Sequence, residues 1–268
     1  MWRGFDILAT HAIYNRAEMD RVVEDAVYLT ILRDPVQRFL SAFQYYNYTF
    51  QMHLGHSSNP VADFVSDPEY YLRFVEYGQH QVINGQLYDL GFITKQQIRV
   101  PTTIEARIYS EHSSKQLDEE FDLVLIAEHL DESLVVMKRL LCWEFDDIVY
   151  IPQRVTTNRY SRTYTLDSDS VAIIQTLNKA DLELYRYFNV SLWNKIANYG
   201  PDFQNDLQTF RYRLSQLWQK CGRATNFPTE GDDEQCGDYL RLDDENIRIA
   251  RDQLRERLDN RCRVNCAY

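Results

Sequence analysis

The chain of 268 residues predicts an α/β fold layered around a mainly parallel sheet, with a helical C-terminal part. Two apolar, β-branched runs, residues 27–32 and 121–127, each stop at a charged residue and lead into a helix-start signal. That signal is Asp34-Pro35 in the first case and Asp131-Glu132 in the second. From Asp167 onward the pattern is helical. Strands that alternate with helices in this way build a parallel sheet covered on its faces.

The elements follow in order. Residues 5–9 read as a short buried strand and residues 16–24 as a helix. Residues 27–32 form the second strand, buried in the interior, and 35–48 the helix behind it. The segment 53–60, rich in Gly, Ser, Asn and His, is a loop. Residues 63–77 carry apolar and aromatic side chains at helical spacing, and 84–91 is rich in turn residues. Residues 121–127 are a strand that ends at Glu128. A helix then runs from Asp131-Glu132 through Cys142, its acidic residues at the positive end of the helix dipole. Residues 147–151 read as a short strand. The helical remainder breaks near Gly200-Pro201 and between 226 and 237. Residues 243–261, dense in charge of both signs, fit a solvated helix laced with local ion pairs. No internal repeat or low-complexity tract occurs.

The first strand-to-helix junction carries the chemistry. Asp34 suits an N-cap, and Pro35 falls at the first helical position, where its missing N–H costs nothing. Arg33 therefore stands at the carboxyl end of a strand beside the positive end of a helix, the place where open α/β sheets bind anions. Ser41, eight residues on, adds a neutral hydroxyl from within the helix. An Arg with a Ser suits a phosphate monoester, one giving charge and a planar fork, the other a hydrogen bond. The alternative is an Arg paired with a surface carboxylate after an ordinary strand.

Composition bounds the rest. A chain this long buries about three quarters of its unfolded surface in one core, and no Pro-, Gly- or Ser-rich linker divides it. Aromatics make up 13% and Tyr numbers 19, generous for a plain scaffold and usual for carbohydrate-handling proteins, with core packing as the alternative for most of these rings. A net charge of −11 argues against a nucleic-acid coat or a general binder of anionic membranes, so a phosphonucleotide would need a local basic pocket. No uninterrupted apolar run approaches 18 residues. Of five cysteines, Cys142 lies in an apolar run and reads as a buried free thiol. Cys221, Cys236, Cys262 and Cys266 allow two disulfides in an oxidising lumen, or stay reduced in a cytosolic tail. No nearby His completes a zinc set with them, and no metal is expected. Two glycosylation sequons occur, Asn47-Tyr48-Thr49 and Asn189-Val190-Ser191. Asn47 falls close behind the proposed phosphate-binding helix, where burial would bar modification.

Arg33-Asp34-Pro35 followed by Arg38-Phe39 and Ser41 resembles the 3′-phosphate-binding segment of the Golgi carbohydrate sulfotransferases. The continuation Ala42-Phe43-Gln44-Tyr45-Tyr46 narrows the resemblance to the galactose-3-O-sulfotransferase family. Leu87-Tyr88-Asp89-Leu90-Gly91-Phe92, the block from Phe121 through Glu128 and Leu134 to Leu141-Cys142-Trp143, and Tyr187-Phe188-Asn189-Val190-Ser191-Leu192-Trp193 are similar to the same family. The similarity runs from about Phe5 to Tyr199.

The resemblance implies a three-layer, mainly parallel sheet of the P-loop-like sulfotransferase type in residues 1–200, with residues 201–268 a helical extension. It implies transfer of a sulfonate from 3′-phosphoadenylyl sulfate (PAPS) to the 3-hydroxyl of galactose on a glycolipid such as galactosylceramide, or on a glycan. Arg33 and Ser41 would hold the 3′-phosphate. His11, in the segment Thr10-His11-Ala12-Ile13-Tyr14-Asn15, would be the base; a capping or core role is its alternative. The family's Arg before the aromatic residue is Ile13 here, and its Asn or His before the base is Thr10. Glu128 is a second candidate base, or a residue that caps and orients a neighbour. Arg154 and Arg159, with Arg162, would close a basic loop over the nucleotide, or form an ordinary solvated loop. Family members are type II Golgi membrane proteins with an N-terminal anchor. The family grips the 5′-phosphosulfate with a Lys-bearing loop that precedes the His segment, and this chain has no Lys before Lys95. Residues 1–268 alone are therefore expected to lack transfer activity, as a truncated form or as a non-catalytic relative. A uronyl 2-O-type sulfotransferase shares the Arg-Asp-Pro logic, but the Phe-Gln-Tyr-Tyr and Leu-Leu-Cys-Trp blocks count against it.

Overall fold

A computed structural model describes residues 12–23, 25–94, 103–151, 164, 166–221 and 236, with the backbone alone for 103–111. The expected strand at 5–9, His11, Arg154, Arg159, Arg162, the helix at 243–261 and the cysteines Cys262 and Cys266 lie outside the described residues.

The described elements are α1 (Arg16–Met19), β1 (Leu29–Leu32), α2 (Pro35–Tyr45), α3 (Tyr48–Gln51), α4 (Pro60–Ser66), α5 (Pro68–Leu72), α6 (Gly85–Asp89), α7 (Thr103–Glu120), β2 (Leu123–Ile126), α8 (Leu130–Leu140), α9 (Ser168–Leu177), α10 (Lys179–Tyr199) and α11 (Phe203–Cys221). Helix dominates, and β1 pairs with β2 in parallel, Leu29 facing Leu123 and Leu32 facing Ile126. This small parallel sheet among helices is compatible with the expected α/β class.

The chain forms two compact units. The first comprises Met1–Cys142 and Asn158–Gln204. In it β2 is buried along its whole length, with α8 and α10 packed on it. β1 is less enclosed than the expected interior strand, because Ile31 is 50% exposed. Beside the sheet lies an aromatic core in which Phe39, Phe43, Phe64 and Tyr48 meet with ring centroids about 6 Å apart. Ile174 and Leu177 of α9 close the same core.

Local chemistry sets where the helices stop. The expected helix over 35–48 ends at Tyr45, because Asn47 adopts a left-handed conformation (φ 51°) and α3 begins afresh. The Tyr48 hydroxyl donates to Gly78 O at 2.6 Å, and Tyr46 stacks on Tyr48. Gly78 has φ 76°, and a Cβ there would stand 2.6 Å from the Tyr46 ring, so this turn needs glycine. The helical pattern over 63–77 becomes two short helices. Asp67 precedes Pro68, leaves the helical region (φ −150°) and caps α5 by accepting from Tyr70 N.

Three further expectations are corrected. Residues 147–151 form no strand: Asp147 Oδ2 accepts from Glu144 N in a reciprocal cap, and a 3₁₀ turn spans Phe145–Asp147. The helix at 16–24 shortens to Arg16–Met19. Cys142 is free but exposed, lifted out at positive φ (54°) past the end of α8.

The second unit comprises Trp143–Thr157 and Asn205–Tyr268. Its described part centres on Ile151 and Leu217 packed against a disulfide between Cys221 and Cys236. Among the described residues, no helix is long and apolar enough to cross a membrane.

A buried polar network ties α6 to the turn between α9 and α10. Asp181 is fully buried, and its carboxylate accepts from Gln86 N at 3.0 Å and Leu87 N at 2.9 Å. Asn84 N donates to Asn178 Oδ1, and Asp181 N donates to Asn84 Oδ1. Burial pushes the Asp181 carboxyl above the usual carboxylate range, against the pull of Arg38 and the two N–H groups. Removing the carboxylate leaves two buried donors unsatisfied. Asp181→Ala should cost about 3 kcal/mol or more in urea unfolding, whereas removing the exposed cap Asp167 of α9 should cost about 1 kcal/mol. Equal small losses would mean that the network does not hold α6.

Candidate functional site

The site is built at the carboxyl ends of the two parallel strands. After Leu32 the chain leaves β1 at Arg33 and enters α2 through Asp34. Asp34 Oδ1 accepts from Val36 N and Gln37 N, both at 3.0 Å, and Pro35 occupies the first turn, as the sequence predicts. The backbone of Arg33 is held by a side chain distant in sequence. Arg33 N donates to Gln86 Oε1 at 2.7 Å, and Gln86 Nε2 donates to Arg33 O at 3.0 Å. The buried amide thus makes the two bonds that a neighbouring strand would make. Gln86 is itself fixed through its own N–H to Asp181.

This clamp leaves the Arg33 side chain exposed, and it makes no hydrogen bond or ion pair among the described residues. Ser41 is also exposed, on the second turn of α2 and off the core face made by Val36, Phe39, Ala42 and Phe43. Both candidates for anion binding therefore face solvent, Arg33 just before α2 and Ser41 near its middle, though no hydrogen bond joins them. The other arginine of the motif, Arg38, points elsewhere: its guanidinium donates to Gln81 O at 2.8 Å. A Cβ on Gly85 would collide with that guanidinium, so glycine lets Arg38 lie across the start of α6.

Glu128 follows β2 in a 3₁₀ turn, Ala127–His129. Its Oε1 accepts from Asp34 N at 3.0 Å, so the exits of the two strands are joined directly. Tyr185 of α10 also hydrogen-bonds to Glu128. Burial first, then the charge and hydrogen bond of Glu128, push the Tyr185 hydroxyl up to about 12. In this geometry Glu128 orients the junction. A cleft of about 570 Å³ opens here, with Asp34, Gln37, Glu128, Tyr164 and Tyr185 among its lining residues. Arg33 and Ser41 do not line it. Among the described residues, no cluster of His, Cys, Asp and Glu is arranged to hold a metal ion.

Sequence reasoning missed Gln86 and Tyr185. Gln86 stands directly before the Leu87-Tyr88-Asp89 block, but nothing in the sequence shows that its amide reaches Arg33, 53 residues away.

Residues 1–240 match the profile of a family described as galactose-3-O-sulfotransferase. Galactose-3-O-sulfotransferase 3 of Mus musculus is 32% identical over 217 residues, 80% of this chain and 49% of that protein. Galactosylceramide sulfotransferase of Bos taurus is 30% identical over 203 residues, 74% of this chain and 45% of that protein. Galactose-3-O-sulfotransferase 2 of Mus musculus is 28% identical over 249 residues, 91% of this chain and 58% of that protein. The chain thus spans about half the length of the curated relatives it matches. No solved structure matches.

The clamp predicts an ordered set of stabilities. Gln86→Leu strands the Arg33 N–H and C=O and should cost about 2 kcal/mol in urea unfolding. Asp34→Ala should cost about 1 kcal/mol, and Gln37→Ala, exposed beside it, less than about 0.5 kcal/mol. A Gln86→Leu loss no larger than that of Gln37→Ala would show that the amide does not hold the junction.

Proposed function

The chain belongs to the galactose-3-O-sulfotransferase family, and we propose that it is the part of a carbohydrate sulfotransferase that holds the 3′-phosphate of PAPS and presents a galactose 3-hydroxyl. The acceptor is a galactose-terminated glycolipid, with galactosylceramide as the type, or a glycan. The observation that carries the reading is the Arg33–Asp34–Pro35 junction: an exposed guanidinium with a clamped backbone, at the positive end of a capped helix, at the carboxyl ends of parallel strands. In this reading β1 and β2 are the centre of a three-layer parallel sheet of the P-loop-like sulfotransferase type.

Each residue then has a role. Arg33 supplies charge and a planar fork to the 3′-phosphate, and Ser41 a single hydrogen bond. His11 removes the proton of the galactose 3-hydroxyl as its oxygen attacks sulfur and the sulfur–oxygen bond to the phosphate breaks. Glu128 and Tyr185 keep the mouth of the sheet in place, and Glu128 is the second candidate base. Arg154 and Arg159 close over the nucleotide. No metal takes part. The Cys221–Cys236 disulfide supports folding in an oxidising compartment, in keeping with a Golgi lumen.

The test separates the two phosphates of the nucleotide. Arg33→Ala should weaken binding of 3′-phosphoadenosine 5′-phosphate by about 1.5–3 kcal/mol, roughly tenfold to a hundredfold, and leave adenosine 5′-phosphate nearly unaffected in calorimetry. Ser41→Ala should act the same way at about 1 kcal/mol. Equal losses for both nucleotides would remove Arg33 from the 3′-phosphate site.

A further inference from the structure

The three most exposed large hydrophobic side chains among the described residues are Phe50 (76%), Tyr45 (73%) and Tyr77 (72%). All three surround one turn. Tyr45 packs edge-on against Tyr46, and Phe50 N donates to Asn47 O. Gln51 ties Tyr77 to the same place: its Nε2 donates to Tyr46 O and Tyr77 O, and its Oε1 accepts from Glu76 N and Tyr77 N. At the tip of this turn stands Asn47, the acceptor position of the sequon Asn47-Tyr48-Thr49.

The structure reverses the expectation of burial at Asn47. Its side chain is exposed and makes no capping hydrogen bond, and its backbone is left-handed. The neighbours on either side, Tyr46 and Tyr48, turn inward and stack with centroids 5.6 Å apart. These exposed rings near one turn offer apolar surface that an attached sugar can cover. N-acetylglucosamine suits it, since its C–H groups form an apolar face that packs on aromatic rings while its hydroxyls stay in water.

We propose that Asn47 carries an N-linked glycan whose first N-acetylglucosamine units pack over Tyr45 and Phe50. In the step, Asn47 Nδ2 attacks C1 of the reducing-end sugar of a polyprenyl-diphosphate-linked oligosaccharide. A C1–N bond forms, the C1–O bond to the diphosphate breaks, Nδ2 gives up one proton, and the lipid diphosphate leaves. This donor belongs to the secretory lumen, the kind of compartment in which a disulfide such as Cys221–Cys236 forms. Asn47 lies beyond the opposite end of α2 from Arg33, about 16 Å along an 11-residue helix, so the glycan leaves the strand ends open. The proposal therefore stands independently of nucleotide binding at Arg33. The second sequon, at Asn189, lies within α10 with its Oδ1 buried, and its peptide is scored separately.

The experiment expresses the full chain in the secretory pathway of cultured mammalian cells. Glycans are released with peptide N-glycosidase in ¹⁸O water, and the peptides are read by mass spectrometry. The expected result is conversion of Asn47 to ¹⁸O-labelled Asp in the unmutated protein, kept in Thr49→Ser and lost in Thr49→Val. The sugar is added to the nascent chain, so this readout does not depend on a variant folding. Unmodified Asn47 in the secreted chain overturns the proposal. Tyr45→Ala should lower the melting temperature of the glycosylated chain by about 2–4 °C more than it lowers that of an Asn47→Gln background. Equal shifts in the two backgrounds would overturn the packing of the glycan on Tyr45.

Discussion

One buried amide holds the point on which the rest of this structure turns. Gln86 takes both the N–H and the C=O of Arg33, where β1 ends and α2 has not begun. Backbone groups at a strand end must find partners or lose the cost of leaving water. Here a side chain supplies them without another strand, so the chain can turn at once into a capped helix. β2 ends by the same device: Ser133 Oγ accepts from Ile126 N and donates to Ile126 O. Glu128 then links the two exits through Asp34 N. Behind Gln86, the carboxylate of Asp181 fixes the start of α6. The chain of support runs from a buried carboxylate through a short helix and an amide to the backbone of Arg33.

The electrostatics follow from this mechanical arrangement. The protein carries a net charge of −11, yet the residue left free at the junction is cationic. The carboxylates nearby are occupied by backbone donors: Asp34 by the first turn of α2, and Glu128 by Asp34 N. Arg38 is spent on Gln81. Among the described residues nothing pairs with the Arg33 guanidinium, while the helix end beside it is already capped by Asp34. The same helix separates that edge from the aromatic turn at Asn47, about 16 Å away along α2.

Local signals in the sequence made the junction legible. A β-branched run, an Asp cap and a Pro at the first helical position are each local, and all three stand where they were expected. The break at Asp67-Pro68 was equally local, but the apolar spacing of 63–77 hid it. Residues 147–151 read as a strand, but a reciprocal cap between Glu144 and Asp147 closes a 3₁₀ turn over Phe145–Asp147 and the chain leaves it irregular. Helix α7 left little trace, since its sequence mixes charged and small polar residues and buries Ser113 and Ser114 beside Leu117. The parts that make the site rigid were not readable. Gln86 meets Arg33 across 53 residues and Asp181 across 95, and no spacing rule links residues so far apart. The resemblance to the sulfotransferases supplied roles for Arg33 and Ser41, and the structure supplied the clamp.

The central claim is that this junction is a 3′-phosphate site, and a crystal structure with bound 3′-phosphoadenosine 5′-phosphate tests it most directly. The account predicts that the 3′-phosphate lies within hydrogen-bond distance, about 2.7–3.2 Å, of the Arg33 guanidinium and the Ser41 hydroxyl, with the Gln86 bonds to Arg33 unchanged. A nucleotide whose 3′-phosphate is held by other side chains, with Arg33 left in solvent, would contradict it.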